Sequence, residues 1–368
     1  MSILVIILWS SLVVVLLLVI LGSAGRKKPK RSQRARRPAL RAAPGPGGEP
    51  EEEETASVPP ELASLQLLAI EDIEPATLAA LDTVVKDLPR PHPLFTAMTQ
   101  ELDDPEEIAA AVASEPAMAA ELLRTVNSAA FALSTPISSI PHAIAYLGVG
   151  YVKGIVAQSA LADTLPSTSS DPEQQSGMTQ LWKASQVSGA VTFALAQHVG
   201  LERPSIASTL ALLSNLGNMN IISSRPDMAA LYSSGHSLLE RVQRQQDVLG
   251  FNSAIVGFLL AKHWGLPTEI LTGLRDSLLA LTPPAKVEAD SASWQRTLVC
   301  YVGCRIGDAV SYEGLRNIAN LNFSDPNAVD FFFLSEHLEQ AGLARVWRAL
   351  DDPALRRKLN QSINLAGN

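Results

Sequence analysis

Cysteine is nearly absent from this sequence: Cys300 and Cys304 are the only two in 368 residues. So few thiols exclude a disulfide-framed secreted fold and agree with a reducing compartment. Four residues apart, they fall on one side of a helix. No His or Cys lies close by to complete a metal set, so they read as two small buried thiols. Aromatic residues are only 5% of the chain, and charged residues, at 18%, fall below the usual quarter. No Asn-Gly or Asp-Gly hairpin turn and no sustained alternation of apolar and polar residues occurs, which argues against a sheet. A phosphate-cradling Gly-x-x-x-x-Gly-Lys loop, a dinucleotide fingerprint and a Gly-x-Ser-x-Gly elbow are missing as well. No repeat of fixed period is visible. Nothing in the sequence calls for a cofactor.

What is present is apolar mass, 47% of the chain, carried mainly by alanine and leucine. That suits closely packed helices. Residues 3–21, ILVIILWSSLVVVLLLVIL, contain no charge, and sixteen of the nineteen are Leu, Ile or Val. A helix of this length spans about 28 Å, close to the hydrocarbon core of a bilayer. Ser10 and Ser11 can bond back to their own helix. A cleaved leader wants a basic start and a shorter apolar stretch, whereas only Met1 and Ser2 come first here; Gly22, Ser23 and Ala24 keep the cleavage reading open. Arg26, Lys27, Lys28, Lys30, Arg31, Arg34, Arg36, Arg37 and Arg41 follow with no acidic residue among them. Positive charge beside a span stays on the cytoplasmic side. The expectation is therefore a single-pass anchor in the inner membrane over residues 1–25, with the N-terminus outside and the main domain cytoplasmic. The basic run is expected to meet lipid headgroups in preference to nucleic acid.

Charge divides at this point. The chain has 29 basic and 37 acidic residues, and the nine basic ones before position 42 leave 20 against 37, a formal −17 for the rest. Such a body repels nucleic-acid phosphate, so no nucleic-acid partner is expected. Residues 26–60 run from basic to a Pro-, Gly- and Glu-rich stretch without enough apolar side chains to fold, which predicts a disordered linker.

From residue 61 onward the pattern is helical. Ile140, Ala143, Ile144 and Leu147 recur at helical spacing, with Pro141 in the first turn and Gly148 placed to stop the helix. Ser237 and Glu240 form a capping-box pattern before Leu238, Leu239, Val242 and Leu249. Asn252 can cap a helix carrying Ile255, Val256, Leu259 and Leu260, stopped at Gly265 ahead of Pro267. Polar breaks at 166–176 and 282–292 predict a loop between two helical subdomains and a second boundary. The expected organisation is all-α: a helical domain over 61–285 in two subdomains, and a C-terminal helical extension over 286–368 packed on it.

Two stretches carry a resemblance. The first, residues 88–133, opens on Leu88-Pro89, passes a short acidic loop, and ends a helix at Asn127-Ser128 with Phe131 following; Ile137, Ile140 and a helix closing at Leu147-Gly148 come next. The second orders LWKASQVSGAVTFALAQHVGL, ALLSNLGNMNII and LLERVQRQQDVLGFNSAIVGFLLAKHWGLP. Together they resemble the HDOD family, whose second half is related to HD-type phosphohydrolases. The resemblance covers residues 88 to about 278 and implies an all-α fold and a role in bacterial signalling, usually as a scaffold or output module.

An HD-type phosphohydrolase holds divalent metal with histidines and carboxylates, marked by an adjacent His-Asp pair. Where the resemblance places that pair, this chain has Ser214 and Asn215; where it places an earlier histidine it has Ala184 or Ser185, and Ser253 stands at a later one. Asp308, in RIGDAV, falls where a last metal carboxylate would be. None of the six histidines (His92, His142, His198, His236, His263, His337) precedes an Asp, and none lies between 199 and 235. The expectation is a protein without catalytic residues or metal that binds protein partners. Alternatives are a sensor of a small ligand such as a nucleotide, and a residual metal-dependent hydrolase. Asn127, Ser128 and Phe131 form either a partner-binding motif at a cleft or, as favoured by the helix pattern, a helix end whose asparagine fixes the following turn.

Overall fold

The computed structural model describes residues 58–367, apart from 100–101, 103, 129–132, 134, 162–170, 233–235, 285–291 and 324–327. The anchor over 1–25, the basic run and most of the linker therefore lie outside the described residues. No single helix among those described is long and apolar enough to cross a membrane. From Val58 on, the chain forms one compact unit.

Among the described residues there is no β-strand. Proline starts most of the early helices: α1 (Pro60–Ala63), α2 (Pro75–Lys86), α3 (Pro93–Thr99), α4 (Pro105–Ala113) and α5 (Pro116–Val126). At the first helical position the ring costs no hydrogen bond and presets φ. Helix α6 (Ile140–Leu147) carries Pro141 in its first turn, is capped by Ser139, and ends at Gly148, whose φ of +82° only glycine adopts freely. The chain turns there by 120° into α7 (Val149–Leu161).

Helix α8 (Pro172–His198) is the longest at 27 residues. Its first turn begins inside the stretch expected as loop up to residue 176. The cause is local: Asp171 accepts from the Glu173 amide, Pro172 follows, and Glu173 favours the positive helix end. Helices α9 (Pro204–Leu213) and α10 (Leu216–Ser224) follow, then a 3-10 turn, Pro226–Tyr232. Helix α11 (Leu238–Leu249) opens on the expected capping box, with both Ser237–Glu240 bonds formed. Asn252 caps α12 (Ser253–His263), and Gly265 precedes α13 (Thr268–Arg275). After a 3-10 turn at Leu279–Leu281 come α14 (Ala292–Tyr312), 3-10 turns at Ile318–Asn320 and Val329–Phe331, then α15 (Leu334–Gln340), α16 (Arg345–Asp351) and α17 (Pro353–Gly367).

Three large apolar clusters hold these helices. One gathers α3 to α7 around Leu94, Ile108, Val126, Ile144 and Val152. A second joins α8, α9, α10 and α12 through Leu181, Leu213, Ile222 and Leu260. The third packs the C-terminal helices on α8 through Leu195, Leu298, Ile306, Leu338 and Leu359. Helix α8 feeds all three, so the expected C-terminal extension reaches the centre of the fold. In α14 every residue from Arg296 to Ser311 is buried. Its approach to α8 is close because Gly303 and Gly307 face that helix: a Cβ at Gly307 would lie 2.1 Å from the Ser188 hydroxyl and 2.5 Å from the Ala184 carbonyl.

Candidate functional site

Ala184 and Ser185 lie in the middle of α8, Ser214 and Asn215 at the break between α9 and α10, and Ser253 at the start of α12. The fold brings three of the five into one buried polar network. The Asn215 amide donates to the Ser185 hydroxyl at 3.3 Å and accepts from the Asn218 amide at 2.9 Å. The Asn218 carbonyl oxygen in turn accepts from the Tyr232 hydroxyl at 2.6 Å and from Gln245 at 2.9 Å. Gln245 also donates to Tyr232 at 2.6 Å, and its own oxygen accepts from the Ser253 amide at 2.8 Å. Ser253 itself is positioned by a close backbone approach, since a Cβ at Gly217 would sit 1.9 Å from its carbonyl.

The other two residues stand apart. Ala184 is fully buried, and its carbonyl accepts from Ser188. The Ser214 hydroxyl donates to the Ala211 carbonyl and accepts from Cys304 at 3.2 Å. Cys304 and Cys300 are both buried with their sulfurs 3.9 Å apart. That contact, together with burial, pushes the Cys300 thiol well above its ordinary pKa, as befits an inert packed thiol.

Beside the neutral network lies a second, charged one. Asp308 on α14 pairs with Arg241 of α11 and, at 3.1 Å, with Arg305 one turn away. Arg305 also reaches Asp330 at 3.7 Å. Asp330 accepts from the Leu238 and Leu239 amides at 2.8 and 3.0 Å, which places a carboxylate on the positive end of α11. The Tyr301 hydroxyl donates to the Asp330 carbonyl at 2.6 Å. The Arg241 guanidinium stacks over Tyr312 at 4.8 Å and Tyr232 at 5.8 Å, so Tyr232 belongs to both networks. Burial is the largest influence and works against the charge on Arg241 and Arg305, but Asp308 together with the neighbouring tyrosines, and for Arg305 Asp330 as well, outweighs it and raises both pKa values. Two cations and two anions thus sum to zero in a dry environment, where any unpaired member would be costly.

These residues do not fit a divalent metal ion. Ser185, Asn215, Asn218 and Ser253 offer only neutral groups, and the three side-chain amides of the network already bond one another. Asp308, the carboxylate at the position expected of a metal ligand, is held by two guanidiniums. Among the described residues no three His, Cys, Asp or Glu converge.

Asn218, Tyr232, Gln245, Arg241, Arg305 and Asp330 did not stand out in the sequence. A signal for some of them exists: the buried face of α11 is spaced Leu238, Val242, Gln245, Leu249, with Arg241 beside it, so a glutamine occupies a core position. Arg305 and Asp308 similarly interrupt the buried run of α14. Asp330 had no such signal, because a 3-10 turn carries no periodic pattern.

Asn127 makes the contacts of a helix end. Its amide nitrogen donates to the Leu123 carbonyl at 2.7 Å and the Ile137 carbonyl at 2.8 Å, and its oxygen accepts from the Ile137 amide at 2.8 Å. It ends α5 and pins the returning chain. Ser128 is exposed, with its amide on Thr125. Phe131 lies outside the described residues.

The family model for the HDOD domain matches residues 88–277. An uncharacterized protein of Treponema pallidum (strain Nichols) is 23% identical over 205 residues, 54% of this chain and 39% of its own length. The chain thus spans about two fifths of the length of the curated relative it matches. Among solved structures, an HDOD domain protein of unknown function from Geobacter sulfurreducens is 18% identical, with 77% of this chain and 99% of that one aligned at a TM-score of 0.47. A protein of Shewanella amazonensis SB2B, named provisionally as a phosphohydrolase, is 19% identical over 79% of this chain and 98% of its own, also at 0.47.

Proposed function

Because the chain belongs to the HDOD domain family, we propose that it works as a membrane-anchored signalling scaffold, binding partner proteins with its helical body instead of turning over a phosphorylated substrate. One observation supports this most: at the positions that would carry the ligands of a metal hydrolase, the side chains are neutral, Ser185 and Asn215 are tied into a buried network with Asn218 and Gln245, and Asp308 is claimed by Arg241 and Arg305. Phosphoryl hydrolysis on a metal needs an ion that polarises the phosphoryl group and lowers the pKa of its water. Recruiting one to this site would require breaking a buried ion pair, which costs about 3–5 kcal/mol.

The anchor belongs to the same proposal. Residues 3–21 would hold the protein in the inner membrane, with the basic run on the cytoplasmic headgroups, and confinement to two dimensions would raise its effective concentration toward membrane-bound partners. The test uses the full chain in detergent or nanodiscs. Metal analysis is expected to find no stoichiometric divalent ion, and phosphomonoester and cyclic-dinucleotide substrates are expected to turn over no faster than in a blank. One equivalent of metal, with turnover abolished by Asn215→Ala, would overturn the scaffold reading.

A further inference from the structure

Residues ahead of α2 do not simply lead into the domain. They cross α11 and the start of α12 as a strap, the single turn of α1 followed by non-helical residues 65–69, that is held by its main chain. Gln243 donates to the Glu61 carbonyl at 3.1 Å, and Gln246 donates to the Gln66 carbonyl at 2.8 Å. The Leu68 amide donates back to the Gln246 oxygen at 2.9 Å, while Asn252 donates to the Leu68 carbonyl at 3.0 Å. Asn252 also donates to Gln246 at 3.0 Å, so these two receptor amides hold each other in place.

Side-chain amides that pair with both the N–H and the C=O of one residue, as at Leu68, recognise backbone whatever its sequence, and apolar pockets beside them then select side chains. The apolar part is here too: Leu62 is buried against Leu239 and Phe333, Leu65 packs on the same cluster, and Leu67 and Leu68 are half-buried. The outer side of the strap is solvent-facing, with Glu61, Ser64, Gln66 and Ala69 all exposed. From Val58 to Asp72, Leu62 is the only fully buried residue. Leu65 and Leu67 pack on the C-terminal cluster, and Leu68 and Ile70 on the cluster of α8 to α12, all as partly buried residues at the edge, so the segment can leave by uncovering cluster edges without removing a fully buried member of either.

We propose that this face of α11, with the α11–α12 corner, is a peptide-docking groove that the chain's own residues 60–70 fill in cis. In trans it accepts a segment of a partner protein that takes the same form, one helical turn and then a non-helical run, with leucines at the strap's spacing (positions 62, 65, 67 and 68). Release of the strap has a direct neighbour to act on, since Gln245 and Ser253 of the buried polar network flank Gln246 and Asn252 in the chain. The proposal deepens the scaffold reading and rests on it only for the existence of a partner protein.

The probe is a labelled synthetic peptide of residues 58–72, titrated onto the full-length protein in detergent. The wild-type strap competes at an effective concentration of about 1 mM. Leu62→Ser with Leu65→Ser should weaken that competition and tighten peptide binding at least tenfold. Adding Gln246→Ala to this variant should lose most of the gain. Hydrogen exchange on the wild type gives a second measurement that needs no variant: the Leu68 amide should exchange through a local opening, well before the amides of α8. Equal peptide binding by wild type and variant, no binding by either, or protection of Leu68 equal to that of α8 would each overturn the groove. A failed groove leaves the metal and turnover result above untouched, and turnover in that assay would leave the groove untouched, so the two failures can be told apart.

Discussion

Asp308 shows how a single carboxylate can change role. In a metal site it would face a cation from solution; here it faces Arg241 and Arg305, both almost fully buried. Asp308→Asn leaves two guanidiniums confronting a neutral amide, and removing one partner of a buried pair costs about 3–5 kcal/mol. Urea unfolding should therefore show a loss of about 3 kcal/mol or more. Adding Arg241→Met should give a double variant destabilised by less than the sum of the singles, with a coupling of at least about 1 kcal/mol. Strict additivity would mean that the pair does not form. His337 offers a second test at this scale. It is buried, its Nε2 lies 2.9 Å from the Thr282 carbonyl, and its ring meets Trp294 edge-on. Burial holds the imidazole below its ordinary pKa of 6.5, outweighing the Thr282 bond. Below pH 6.5 the unfolded chain therefore takes up the proton before the folded one does. The contribution of His337 is complete above that pH and is lost as pH falls through the lowered folded value. His337→Gln, which keeps an amide donor but does not titrate, should flatten the decline in unfolding free energy between pH 7 and 5 relative to wild type. Parallel curves for the two proteins would remove His337 from the acid response.

At the scale of elements, the closeness of α8 and α14 decides what their residues can do. A Cβ at Gly307 would meet the Ala184 carbonyl at 2.5 Å, and a carbonyl cannot rotate aside as a side chain can. The helices would have to part, and overpacking of this kind costs about 1–3 kcal/mol. Gly307→Ala should lower the unfolding midpoint accordingly. Adding Ser188→Ala, which removes the hydroxyl 2.1 Å away, should restore only a fraction, because the Ala184 carbonyl remains. Full rescue would show that the hydroxyl alone sets the spacing. Gly273 is the contrast: a Cβ there meets only the Leu210 side chain, which can shift. Legibility in the sequence follows the same division. Helix starts and stops were readable because capping is local, as at Gly148, Ser237 and Asn252. The place of Ser185, Asn215 and Ser253 was readable because the family resemblance aligns them. Arg241 and Asp308 were not seen as partners, for they lie 67 residues apart and nothing in either helix names the other. The strap over 60–70 escaped as well, since main-chain recognition by Gln243, Gln246 and Asn252 leaves no pattern in the recognised sequence.

For the whole molecule, the apolar clusters among the described residues hold α1 to α17 together, and the proposed anchor is expected to be separable from that body. A chain lacking residues 1–41 keeps both the strap and every described helix. Its unfolding free energy should match that of the full-length helical body within about 0.5 kcal/mol, the range of changes made away from packed features. Location should change instead. A nineteen-residue apolar helix inserts in an effectively irreversible way, whereas basic residues at an anionic surface contribute about 1 kcal/mol each and are screened by salt. Full-length protein should therefore stay with the membrane fraction through both high salt and alkaline carbonate, and the truncated protein should appear in the soluble fraction. Release by salt alone would assign the attachment to the run from Arg26 to Arg41 and remove the span. A mature mass beginning just after Ala24 would replace the anchor with a cleaved leader. Since the described body carries an excess of acidic residues, an unanchored form should not return to anionic vesicles. Under the proposed anchor, recruitment to the membrane should depend wholly on the first 41 residues, and a partner competing for the groove over α11 would find the helical body only where that segment holds it.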